Sequence, residues 1–311
     1  MSKRGEFNFV WLFAIIAGGA ILILAVYGAF KFSETQKYEG DTEIAKSLAT
    51  LTDPMQAGFA EGSYGKILFN QETRIRNICF EEGLGKNDIS ISTESGVGER
   101  WGEYGGAISV HNKYIFSDGI NQGKEFYVFS KPFEFPYKVS DMIFLTEKEY
   151  CFTNAPKEIS EEVSLLKIPN IRIDNCSEGD TIVCFGLGKN CDINVYGACM
   201  ENCNSVYDEG TVEKNGEVMK YAGNLLYGAI FSEKEIYGCN VKRLLQRTGK
   251  IAELLNEKAD LMNARDCSTN LQVDINVWRG LTQNATAEDI ISLNQIAKNL
   301  NRRNVEQCSL W

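Results

Sequence analysis

FVWLFAIIAGGAILILAVYGAF, residues 9–30, contains no charged side chain. Twenty-two residues at about 1.5 Å each make a helix of roughly 33 Å, enough to cross a hydrocarbon core of about 30 Å. Its reading decides the fold, because the rest of the chain has another character: mixed polar and apolar, acidic, and carrying all ten cysteines. We read it as a transmembrane helix dividing a short tail, residues 1–8, from a large outer portion. A cleavable secretory signal has a shorter apolar core, about 7–15 residues, followed by a small-residue cleavage site. The candidate here, around Val26-Tyr27-Gly28, is poor.

A further reading starts from Lys3-Arg4-Gly5, which resembles an archaeal prepilin-peptidase site and would make the helix a filament-forming, pilin-like segment. Val10, however, falls where an acidic residue is usual in that class. The retained anchor is therefore preferred. Lys3 and Arg4 precede the span, whereas Lys31 and Lys37 beyond it are mixed with Glu34, Glu39, Asp41 and Glu43. Counting basic residues places the N-terminus in the cytoplasm and the C-terminal portion outside. Within the span, Ala14 and Gly18, and Ala25 and Ala29, put small residues one turn apart, a spacing that lets helices associate closely.

Cysteine usage agrees with that topology. Cys79, Cys151, Cys176, Cys184, Cys191, Cys199, Cys203, Cys239, Cys267 and Cys308 are even in number and lie outside the span. In an oxidising compartment they are disulfide candidates. Zinc is the rival for Cys184, Cys191, Cys199 and Cys203, but tight zinc sites use C-x2–4-C pairs, and only Cys199 and Cys203 approach that spacing. Cys184–Cys191 would staple a hairpin. Cys239 and Cys267 flank one long helix and cannot meet, so an antiparallel pair of helices would bring Cys239 to Cys308. The remaining pairings stay open.

Net charge is −10 with a pI near 4.9 and no basic run, which argues against nucleic acid and against an anionic membrane surface as partners. The 44% hydrophobic and 11% aromatic content is that of a globular chain, so long disorder is not expected.

After the span, residues 31–58 have Ile44, Leu48 and Leu51 on one helical face, ended by Asp53-Pro54. This segment is either a stalk continuing the membrane helix or a linker with one amphipathic turn. From 59 to 222 short β-like runs alternate with Gly, Asn, Asp and Pro. Asn215-Gly216 between two alternating arms is a hairpin signal, and PKEISEEVSLLKIP predicts an inserted helix near 158–167. Residues 223–311 are helical: one stripe runs through Ile236, Val241, Leu244, Leu245, Ile251, Leu254, Leu255, Leu261 and Met262. A second helix opens at the Thr286–Asp289 capping box. The expected fold class is α+β: a transmembrane helix, a mainly antiparallel β-rich outer domain with one inserted helix, and a C-terminal antiparallel helical hairpin.

No catalytic, cofactor or metal site is read from the residues. The single histidine, His111, leaves no multi-histidine metal site and makes histidine-based hydrolase triads improbable. Gly-Leu-Gly-Lys-Asn occurs at 83–87 and at 186–190, but lacks the spacing of a phosphate-binding loop and suits a turn. Glu81-Glu82 and Glu161-Glu162 are adjacent and point apart, so a carboxylate-dependent hydrolase stays a formal alternative needing facing acids from distant segments.

The stretches KRGEFNFVWLFAIIAGGAILILAVYGAF, DTEIAKSLATLTDPMQAGFAEGSYGKI, GGAISVHNKYIFSDG, FYVFSKPFEFPYKVSD and YGAIFSEKEIYGCNVKRL resemble single-pass membrane proteins of archaea, small-celled lineages included, that carry no assigned activity. The resemblance implies an archaeal cell-envelope protein with a cysteine-bearing outer domain, and carries over no catalytic residue. The expected function is thus a membrane anchor with a disulfide-stabilised outer domain in a structural or binding role.

Overall fold

A computed structural model describes residues 9–51, 64–95, 100–198, 205–267, 269–304 and 308–311. Its first helix, α1 (Phe9–Leu51), runs unbroken through the apolar stretch and the segment after it. The two halves differ in environment. From Trp11 to Phe32 the large apolar side chains are exposed, Trp11 at 70% and Phe32 at 65%. From Asp41 onward one face is buried: Asp41, Ala45, Leu48 and Ala49 recur at helical spacing. The small residues Ala45 and Ala49 let this half lie close against a sheet. Helix α1 thus continues the apolar stretch through residues 31–51, and from Asp41 to Ala49 one face of that continuation joins the folded core; residues 52–58 lie outside the described residues.

That sheet contains β1 (Tyr64–Phe80), β2 (Lys86–Ser95), β3 (Arg100–Trp101), β4 (Ile108–His111), β5 (Tyr114–Phe116), β6 (Ile120–Glu134) and β7 (Lys138–Thr146). Its order is β3-β2-β1-β6-β7-β5, with β4 also on β2, and all pairs are antiparallel except β5 with β7. Alternation puts Ile75, Ile89, Ile91, Phe126, Val128, Ile143 and Leu145 on one face, where they pack with Ala45, Leu48 and Ala49. The sheet curls around the helix end: Asn77 on β1 donates to the Ile115 carbonyl on β5, at the far edge.

A second sheet contains β8 (Tyr150–Thr153), β9 (Ile171–Ile173), β10 (Thr181–Phe185), β11 (Ile193–Gly197), β12 (Glu209–Lys214) and β13 (Glu217–Ala222), in the order β13-β12-β11-β10-β8-β9. The β12–β13 hairpin turns at Asn215-Gly216, both at positive φ. The other half of this sheet is parallel, with β9, β8, β10 and β11 running the same way. Across both sheets most pairs are antiparallel, as expected, and this parallel half is the exception. The inserted helix α2 (Lys157–Leu166) makes the β8–β9 pair possible: parallel neighbours need a crossover, and α2 carries the chain from β8 back to the start of β9.

The C-terminal part comprises α3 (Leu225–Phe231), α4 (Lys234–Asn263), α5 (Gln272–Gln283) and α6 (Ile290–Arg303). The expected two-helix hairpin is thus enlarged by a helix in what read as its loop. The signal for α5 was present in Leu271, Ile275, Trp278 and Thr282, all buried and on one face. The aromatic core between the sheets and these helices includes Phe116, Phe129, Phe144, Phe152, Tyr227, Phe231 and Trp278.

Candidate functional site: the helix–sheet junction

The molecule's most distinctive feature is the place where one helix changes from an unburied apolar rod to a core element. Residues 102–106 hug α1 because glycines allow it. A Cβ on Gly105 would stand 2.8 Å from the Thr42 amide nitrogen, and one on Gly102 would stand 3.0 Å from Lys37 Nζ. The Gly106 amide donates to Thr42 Oγ1 at 2.8 Å. The Asp41 carboxylate accepts from Thr93 Oγ1 at 3.0 Å and from the Thr93 amide at 3.3 Å. Burial pushes the Asp41 carboxyl above its ordinary value, while the Thr93 donors and Lys37 pull the other way. At the far end Lys113, itself buried, donates to the Ala49 carbonyl. A cation there satisfies a carbonyl of the last turn and complements the helix dipole. The helix end is therefore held by polar bonds at both limits of its apolar contact.

On the opposite face of β1 and β2, Arg74 stacks on Trp101 at 3.7 Å and Arg76 on Tyr104 at 4.3 Å. A cleft of about 390 Å³ opens beside α1, lined by Lys37, Asp41, Phe69, Gln71, Thr73 and Thr93 among others.

Four disulfides among the described residues brace this domain. Cys79–Cys239 ties the end of β1 to α4, Cys151–Cys176 ties β8 to the segment after β9, Cys184–Cys191 closes the loop after β10, and Cys267–Cys308 ties the segment after α4 to the C-terminus. No cysteine is free among the described residues, and Cys199 and Cys203 lie outside them. The Cys184–Cys191 bond is the one the spacing suggested, but the strands it adjoins run parallel and do not form a hairpin. The expected Cys239–Cys308 bond is corrected. With three successive helices the chain ends beside the end of α4, where Lys258 donates to the Leu310 carbonyl, so Cys308 meets Cys267. No metal-holding cluster of three His, Cys, Asp or Glu occurs among the described residues.

Other sequence candidates are dispersed. His111 is exposed on β4, opposite Lys86. Both Gly-Leu-Gly-Lys-Asn copies are turns, with Gly83, Gly85 and Gly186 at positive φ. In the cleft beside Tyr237, Glu81 is bridged to Lys242 at 3.0 Å and Glu288 to Lys220 at 3.1 Å. In the cleft beside Phe133, Asp208 is bridged to Lys298 at 3.7 Å.

Sequence reading missed a buried polar cluster. Arg243 donates to Asn87 Oδ1, Asn240 Oδ1 and the Leu84 and Lys113 carbonyls, and burial pushes its guanidinium down to about 10. These partners come from three segments, around 84–87, at 113 and on α4 itself, so no local pattern could announce them. The cluster knits α4 to the β1–β2 hairpin beside the Cys79–Cys239 bond.

No family, no curated protein and no solved structure matches this chain. An N-terminal apolar helix joined to a disulfide-braced α+β domain is the arrangement of a membrane-anchored protein with an oxidised outer domain.

Proposed function

We propose that the chain is a single-pass cell-envelope protein, N-terminus cytoplasmic, whose outer domain does structural or binding work at the surface. The observation carrying this reading is the continuity of α1. Its apolar half has no partner in the fold, and its other half is locked into the sheet, so the domain is held rigidly at the membrane. Lys3 and Arg4 before the span, the disulfides beyond it and the resemblance to archaeal single-pass proteins support the orientation. Resistance to alkaline extraction, with the outer domain digested by protease added outside intact cells, is the expected result. Extraction into the soluble fraction would overturn the anchor.

A second reading is favoured by the same rod. An unburied apolar helix projecting from a compact domain is also what a filament subunit needs, and the small-residue pairs at Ala14/Gly18 and Ala25/Ala29 stand on its exposed surface. N-terminal sequencing of the mature protein separates the two: a new terminus at Glu6 selects the filament, an intact leader the anchor.

A further inference from the structure

The outer domain begins close to where the apolar rod ends. The uncharged run ends at Phe30, and Lys37 follows seven residues later, about 10.5 Å of helix rise. Helical side chains lean toward the N-terminus, so Gly102, which touches the outer half of the Lys37 side chain, lies lower than the Lys37 backbone. From Gly106 beside Thr42 to Gly102 beside Lys37 the segment descends along α1, and Trp101 comes next in that direction. The headgroup layer on each side of a bilayer is about 5–7 Å thick. Gly102 lies below the Lys37 backbone and Trp101 below Gly102, which brings Trp101 down to the outer boundary of that layer.

The chemistry of that edge suits the position. Arg74 lies flat on the Trp101 ring at 3.7 Å and uses Nε on Gln122, at 2.8 Å. Its terminal nitrogens have no bond among the described residues. Tyr38 is 47% exposed on the same stretch of α1. Tryptophan, tyrosine and basic groups gather at membrane interfaces because their apolar bodies and polar tips match the two environments.

We propose that this edge, Trp101 with Arg74 stacked on it, rests in the lipid headgroup layer, where the terminal nitrogens of Arg74 take a headgroup phosphate. The outer domain then sits directly on the bilayer. Glu94 and Glu103 on the same edge offset the basic charge, so the contact is with phosphate of zwitterionic lipid and shows no preference for an anionic surface. The inference rests on the anchored reading of α1.

The test uses the full chain in phosphatidylcholine vesicles containing lipid spin-labelled at the headgroup. Trp11→Phe silences the tryptophan in the span, and Trp101→Phe is compared on that background. Headgroup quenching is expected to fall about twofold or more on losing Trp101. Substituting part of the lipid with phosphatidylglycerol is expected to change nothing. Equal quenching in both variants, or a Trp101 signal quenched by aqueous iodide and not by the labelled lipid, would overturn the contact. So would stronger quenching on anionic vesicles, since it points to charge attraction instead. Failure of the chain to float with the vesicles would overturn the anchor itself, a result distinct from flotation without Trp101-dependent quenching.

Discussion

Leu48→Ala measures how firmly α1 is docked. Leu48 is 6% exposed and packs among Ile89, Ile115, Val128, Ile143 and Leu145. Truncation removes three carbons from this contact, about 2.4 kcal/mol of transfer free energy at about 0.8 kcal/mol each. A cavity term adds to that, because the surrounding side chains stand on strands held by ladder hydrogen bonds and cannot close in. A void of about 10 Å³ already persists there in the native packing. The sum is about 3 kcal/mol, within the usual range for buried leucine. At equilibrium this raises the open fraction about a hundredfold. The assay is amide hydrogen exchange of the full chain in lipid nanodiscs, following peptides from 42–51 and from β10. Exchange in 42–51 should accelerate about a hundredfold while β10 is unchanged. Ser47→Ala, on the exposed side, should leave both unchanged. Acceleration below about threefold in 42–51, or equal acceleration in β10, would refute the picture of an independently docked helix end.

Three further outcomes follow from the same geometry. Burial alone would raise the Asp118 carboxyl, but Lys214 at 2.9 Å and Lys148 outweigh it and hold the value below the usual range. The folded state therefore binds this proton less readily than the unfolded one, so the pair stabilises above about pH 4 and the benefit is lost as pH falls through the folded value. Asp118→Asn should cost about 3 kcal/mol in urea unfolding at pH 7, since it strands a buried ammonium, and much less in strong acid. Asp41 has the opposite sign: its carboxyl is raised by burial, so acidification favours the docked helix. Asp41→Asn, which keeps an acceptor for Thr93, should give 42–51 exchange protection at pH 7 at least equal to the native chain's. Paired serine replacements should rank the disulfides by loop: about 5 kcal/mol for Cys79–Cys239, separated by 160 residues, against about 2.5 for Cys184–Cys191, separated by 7, both measured by denaturant unfolding.

Local features were legible because they follow from short-range chemistry. The apolar run needs only composition and length, the Asn215-Gly216 turn needs two positive φ values, and the Thr286–Asp289 capping box closes on itself within four residues. Helix α2 was visible between Pro156 and Pro169 for the same reason. Helix α5 was passed over because its stripe is short and Val273 and Val277, both exposed, blur it. The Cys239–Cys308 expectation failed with it: one uncounted helix reverses which end of α4 the chain's terminus meets.

The sequence by itself determined that an uncharged 22-residue helix precedes a cysteine-bearing α+β domain, because burial of apolar surface and backbone propensity act over a few turns. The tertiary structure alone decided that the same helix continues into the core, that half of the second sheet is parallel, and which cysteines pair. Each depends on which distant segments share a face. Asp41 shows the difference most plainly: along the chain it reads as a solvated acid, and only the approach of Thr93 and the 102–106 segment makes it a buried anchor point.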